Sequence, residues 1–241
     1  MDGILIILFG CLMVVVLGLA AVRLYREVFF FEGVRLGGRI HRWLYDRWAA
    51  TYDRDKKVQK DDVRLLARPL VESLVRAGAD MSKALVLDVA TGTGRLPLAL
   101  LSETRFFGRV IGIDISDGML SRAAEKLRGY RNRVSLLKCE ARSLPFPDMT
   151  FDVVSCLETI ELLPDAAAHL REFHRVLRPG GILLISRNTG EWGIRGAVCS
   201  PEVFSSQLAS AGFVQIEITP WWKWFDLVWA RRPAEDMNDL V

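Results

Sequence analysis

Apolar and polar positions follow three rhythms along this chain. Residues 3–22 are apolar almost without a break. Further on, short apolar runs at 86–89, 110–114, 134–139, 151–156 and 182–186 have the length and β-branched content of buried strands. Between and around them, 63–77, 96–101, 166–177 and 201–211 carry apolar residues at helical spacing. Gly78 and Gly212 follow two of these stretches as helix stops. Residues 213–219 and 225–230 read as a closing antiparallel pair. Strands that alternate with helices predict an α/β domain: an open, mostly parallel sheet with helices on both faces.

The amino terminus predicts a different element. Twenty helical residues at 1.5 Å per residue match a hydrocarbon core of roughly 30 Å, so 3–22 read as a transmembrane anchor. A cleaved signal peptide is the rival, with a weak cleavage site at Gly18-Leu19-Ala20, but its basic n-region is missing: Asp2 stands there. Six arginines, Arg23 to Arg47, follow the span, so the positive-inside rule predicts a single-pass protein with its catalytic domain on the cytoplasmic side. Residues 23–44 interleave arginines with Phe29, Phe30, Phe31 and Trp43, as an interfacial linker would, although packing on the domain's own surface fits as well. The tail, 233–241, is polar. Trp221, Trp222 and Trp224 crowd one turn, for which membrane contact, an apolar substrate pocket and core packing all remain open.

Composition adds little. A net charge of +3 with 25% charged residues gives no reason to invoke nucleic acid. The cysteines, Cys11, Cys139, Cys156 and Cys199, have no metal-ligand spacing and read as reduced thiols of a cytosolic compartment; no metal site is expected.

The chemistry is centred on Asp88-Val89-Ala90-Thr91-Gly92-Thr93-Gly94, a small-residue turn between a strand and a helix. Glycine at 92 and 94 lets the backbone approach a ligand. Pro97 stands where a dinucleotide fingerprint needs its third glycine, and the Gly-Lys-Ser/Thr ending of a phosphate-binding loop is absent. The remaining pattern, Asp-x-Ala-x-Gly-x-Gly, resembles motif I of the class I S-adenosylmethionine (SAM) methyltransferases, which more often have Gly where Ala90 stands.

Further runs carry the same resemblance. Tyr45-Asp46-Arg47-Trp48-Ala49-Ala50-Thr51-Tyr52-Asp53 is similar to the entry segment of the ubiquinone/menaquinone C-methyltransferase type. Asp114-Ile115-Ser116-x-x-Met119, the Leu144-Pro145-Phe146-Pro147-Asp148 run, and Glu172 through Gly181 follow in the family's order. The phosphatidylethanolamine N-methyltransferases share this likeness, which covers 45–232. It implies a seven-stranded Rossmann-like sheet with the seventh strand inserted beside the fifth. It also implies SAM as cofactor, held by Asp88 and the turn Ala90, Thr91, Gly92, Thr93 and Gly94. Asp114 would take the ribose hydroxyls, with Ile115 and Met119 at the adenine. Glu140-Ala141 would receive the adenine amino group, where the family usually has Asp-Ala. Tyr52 would cover the methionine end, and Leu157 would line the end of strand four, where methyl faces acceptor.

Glu158, Glu161, Arg187 and Asn188 are the candidate catalytic residues at that mouth. A carbon acid or hydroxyl acceptor needs a base and a neutral amine does not. His169 and His174 read as surface residues of the 166–177 helix, and His41 as a linker residue with no evident partner. An anchored domain concentrates lipid-dissolved acceptors. The expected function is therefore methylation of a lipid or lipophilic acceptor, either a phospholipid amine or a quinone-like ring. The alternatives are a small lipophilic alcohol or thiol as acceptor, and a non-catalytic SAM-binding scaffold. The sequence leaves the oligomeric state open.

Overall fold

The structure, a computed structural model, describes residues 2–29, 38–55, 61–190, 199–222 and 224–234; within the first helix it describes the side chains of 9–25. Helix α1 (Asp2–Phe29) is continuous. The anchor expected at 3–22 is corrected: among the described residues, no helix is long and apolar enough to cross a membrane. The single-pass topology and membrane location inferred from 3–22 are withdrawn with it. Much of the linker, including Gly33 and Gly37, lies outside the described residues, as does most of the tail.

From residue 38 onward the elements follow the apolar pattern. Helices α2 (Gly38–Trp48) and α3 (Tyr52–Asp55) precede a π-helical turn (Val63–Ala67) that runs into α4 (Arg68–Arg76). Pro69 explains the wide turn. It has no N–H for the carbonyl four residues back, and Arg68 N–H reaches back to Val63 instead. Then come β1 (Leu85–Val89), α5 (Arg95–Ser102), β2 (Arg109–Asp114), α6 (Asp117–Lys126), β3 (Val134–Lys138) and β4 (Phe151–Cys156). Helix α7 (Ala166–Val176), β5 (Leu177–Asn188), α8 (Pro201–Ser210), β6 (Val214–Trp222) and β7 (Phe225–Arg231) complete the chain.

The seven strands form one sheet in the order β3-β2-β1-β4-β5-β7-β6. Strands β1 to β5 are parallel; β7 pairs antiparallel with both β5 and β6. The inserted seventh strand is therefore present. Side chains alternate between two cores. Val86, Val153 and Leu184 pack against α4 and α5 on one face; Leu87, Val154, Leu183 and Ile185 pack against α7 and α8 on the other. Strand β5 starts earlier than 182. Leu177 already pairs with Phe151, and a register shift absorbs the Pro179-Gly180-Gly181 segment. The strand order reverses between β1 and β4, and an open α/β sheet presents its ligand crevice at the carboxyl ends of such a pair.

Candidate active site

At that reversal, the turn after β1 is built from backbone and two carboxylates. Thr91 N–H donates to Ile113 O at 2.9 Å, tying the turn to β2. Asp88 is fully buried and accepts from the hydroxyls of Thr91 (2.6 Å) and Ser155 (2.7 Å). Burial pushes its carboxyl up to about 6; the two hydroxyls oppose the shift and the nearby Asp114 charge adds to it. Asp114 ends β2, where it accepts from the amides of Gly92 (2.8 Å) and Ser116 (2.9 Å). Burial raises its carboxyl too, against those amides. Gly92 has φ +53, and a Cβ there would meet nothing within 4 Å, so this backbone borders open space.

A cover closes over the turn through the two aspartates of the 45–53 segment. Asp46, on α2, accepts from Ser116 Oγ (2.6 Å) and from Gly118 N–H (2.9 Å), at the amino terminus of α6. Asp53, on α3, accepts from Thr93 Oγ1 and pairs with Lys126 Nζ, both at 2.5 Å. Gly118 permits this fit: a Cβ there would lie 2.7 Å from Asp46 O. The aromatic rings of His41, Tyr45, Trp48 and Tyr52 form a ladder along the cover, with neighbouring centroids 4.7 to 5.9 Å apart.

Cover and turn enclose a cavity of about 390 Å³, within the range of small-molecule sites. Of the expected cofactor residues, the structure brings Tyr52, Asp88, Ala90, Thr91, Gly92, Thr93, Asp114, Ile115, Glu140, Ala141 and Leu157 to its lining. Gly94 and Met119 are not in the lining. Gly94 caps α5 at φ +80, and Met119, in the first turn of α6, is wholly buried. Leu162, Leu163, Pro164, Tyr45 and Tyr52 give the lining apolar and aromatic surface as well.

Of the four catalytic candidates, Glu158 alone is in the lining. It sits at φ +54 after β4, its N–H donates to Ser186 Oγ, and its carboxylate accepts from Arg95 Nη1 at 2.7 Å. Glu161 lies on the short turn Ile160–Leu162. Arg187 is buried in an ion pair with Asp226 and donates to Cys199 O (2.7 Å), while Asn188 accepts from Gly190 N–H (2.7 Å). Arg187 and Asn188 thus brace the sheet end.

Among the cavity residues not anticipated are Arg95, His41 and His169. Arg95 grips Asp62 with two bonds of 2.7 and 2.8 Å, reaches Glu158, and lies 4.9 Å from the Trp221 ring. His41 and His169 both line the cavity. The surface reading of His169 is corrected, since it is 2% exposed. His174 packs edge-on against Phe213. In the tryptophan turn, Trp221 joins the core on the α4–α5 face and Trp222 stacks on Phe225, so core packing accounts for both.

Comparison with known proteins agrees with this geometry. Residues 87–185 match the family model described as a methyltransferase domain. A ubiquinone/menaquinone biosynthesis C-methyltransferase (UbiE) of Hahella chejuensis is 37% identical over 146 residues, 59% of this chain and 57% of that protein. The chain thus spans less than two thirds of the length of this relative. A crystal structure of a SAM-dependent methyltransferase from Aquifex aeolicus superimposes with a TM-score of 0.55 at 26% identity, covering 73% of this chain and 95% of that one. The cyclase SpnF shares the fold, with a TM-score of 0.63 at 21% identity over 80% of this chain and 95% of its own.

Proposed function

We propose that this chain, a SAM-dependent methyltransferase by domain, fold and cofactor, methylates a ring carbon of a quinol-like acceptor. The observation that carries the reading is the two-sided cavity. One side is a backbone turn with buried carboxylates; the other is an apolar and aromatic wall of the kind a lipophilic ring needs. The relative named for ubiquinone and menaquinone synthesis supports the same acceptor class.

The residues fit the methyl donor. In this reading the Gly92 backbone, facing open space, lies under the nucleoside, and Asp114 keeps lone pairs for two ribose hydroxyls while its amide bonds fix its orientation. Glu140 takes the adenine amino group and Tyr52 covers the methionine end. Asp88 orders the turn through Thr91 rather than touching the donor. SAM, when bound, supplies a methyl on a positively charged sulfur, already activated for displacement. The chain's task is then to hold the acceptor in line and exclude water, effects worth up to about 7–11 kcal/mol.

The test supplies methyl-labelled SAM with three acceptors: a short-chain demethylated naphthoquinol, its oxidised quinone, and phosphatidylethanolamine vesicles. Label on the ring carbon of the quinol alone is the expected result. Label in the phospholipid headgroup, or none in the quinol, overturns the reading. Calorimetry of Asp114→Ala checks the donor half. Loss of charge-assisted bonds should weaken SAM binding by about 1–3 kcal/mol, and an unchanged Kd removes Asp114 from that role.

A further inference from the structure

We propose that His169 is the general base of this site and takes the phenolic proton of the acceptor through Nε2. The inference rests on the methyl-transfer reading above and adds a catalytic residue to it. His169 lies in the first turn of α7, beside the Asp165 cap, and contributes to the wall of the cavity while only 2% exposed. Its Nδ1 is 2.9 Å from the backbone carbonyl of Asp165. A carbonyl only accepts, so Nδ1 carries a proton, and in the neutral ring the lone pair is then on Nε2. Among the described residues no hydrogen bond engages Nε2. The ring is held by the bond to Asp165 and by the edge of Phe173, with centroids 6.5 Å apart.

Three of the other titratable groups in the wall, which also include His41, Tyr45, Tyr52, Cys139 and Glu140, are engaged by neighbours. Asp88 is engaged by two hydroxyls, Asp114 by two amides, and Glu158 by the Arg95 guanidinium. His169 combines an Nδ1 held by a backbone carbonyl with a place in the cavity wall that it shares with Leu162, Leu163 and Pro164, and the Glu172 carboxylate lies near enough to interact with its charge.

Replacing a ring hydrogen by methyl releases one proton overall. In the proposed step the acceptor's O–H bond breaks, its electron pair stays on oxygen and activates the ring, and the proton forms an N–H bond on Nε2. With SAM bound, the activated ring carbon would form its bond to the methyl as the carbon–sulfur bond breaks, leaving a neutral thioether; the proton on that ring carbon then moves to the oxygen, restoring the phenol and its aromaticity, and the proton on Nε2 passes to solvent as the one proton released.

His169→Asn is the informative variant, because its amide can keep a donor near Asp165 O while removing the basic nitrogen. With the quinol as acceptor, kcat should fall at least about 100-fold, the lower end of general-base contributions, with the Kd for SAM and the KM for quinol within a few-fold. A kcat within threefold of wild type overturns the proposal. A second measurement stands apart from turnover and from the folding of the variant: nitrogen NMR of wild-type histidines, with a naphthol as the bound, non-reacting phenol. The expected result is a protonated Nδ1 and a naphthol-induced shift at Nε2 of His169. A proton on Nε2 alone, or no shift on saturation with naphthol, overturns the assignment. If the wild type methylates no quinol, the acceptor reading fails, and the naphthol titration still decides the role of His169.

Discussion

Replacing Arg95 by Met tests whether one cation holds the start of the π-helical turn, the β4 loop and the tryptophan turn together. Its guanidinium makes two bonds to Asp62 and one to Glu158, all between 2.7 and 2.8 Å. The arginine side chain is 16% exposed and both carboxylates are 10% exposed. The variant leaves two nearly buried acids without their shared cation. Breaking a buried pair costs about 3–5 kcal/mol, and the contact with Trp221 adds about 0.5–2 kcal/mol. The residual exposure and the adjoining cavity let water reach the acids, so the loss should fall near the lower figure, about 3 kcal/mol. This is a large share of a typical stability of about 5–15 kcal/mol. Urea unfolding at neutral pH, followed by tryptophan fluorescence, measures it. Arg95→Lys keeps the charge without the fork and should lose about half as much. The triple variant Arg95→Met, Asp62→Asn, Glu158→Gln should recover most of the loss, since no buried charge is then stranded. A single-variant loss below about 1 kcal/mol, or a triple variant no better than the single, refutes the account.

Asp88 predicts a pH dependence. Burial raises its carboxyl from 3.8 to about 6, so the native fold binds that proton more tightly than the unfolded chain does. The stability it confers is complete below 3.8 and is lost as pH rises through about 6, amounting to about 3 kcal/mol at 1.36 kcal/mol per unit. Asp88→Asn should remove that slope and gain on wild type between pH 4 and pH 7 in urea midpoints; parallel profiles would refute the cause assigned to the shift. Gly118→Ala should lift the cover, because the new Cβ would lie 2.7 Å from the Asp46 carbonyl. About 1–3 kcal/mol of stability should go, and limited proteolysis should cut faster within the cover, Gly38–Asp55; wild-type cleavage rates would show that the cover bends instead.

The sheet was legible because its central strands are buried on both faces and read as nearly continuous apolar runs, as in β4, Phe151–Cys156. The start of β5 was not, because Pro179-Gly180-Gly181 has turn composition and only pairing with β4 reveals it as strand. The apolar amino terminus was legible as a helix. Its reading as an anchor is not carried by the structure, in which, among the described residues, no helix is long and apolar enough to cross a membrane.

The site divides in the same way. The turn at 88–94 and Asp114 are neighbours on adjacent parallel strands, so a local motif and a strand count suffice to bring them together. His169 left a signal that helix periodicity carries. It stands four residues before Phe173 and beside Leu170, both fully buried, which puts it at the margin of the apolar stripe of α7. The spacing of His41, Tyr45, Trp48 and Tyr52, alternately four and three residues, likewise marks one run of rings in contact, of which His41, Tyr45 and Tyr52 line the cavity. Asp46 and Asp53 left no such trace. Their partners, Gly118 and Thr93, lie 72 and 40 residues away. A carboxylate that caps another helix looks, in its own segment, like any solvated acid. What closes this cavity is therefore a set of long-range polar contacts onto amides and hydroxyls that α6 and the glycine turn would otherwise show to water. That favours an opening made by undocking the cover as a unit over one made by melting the sheet beneath it.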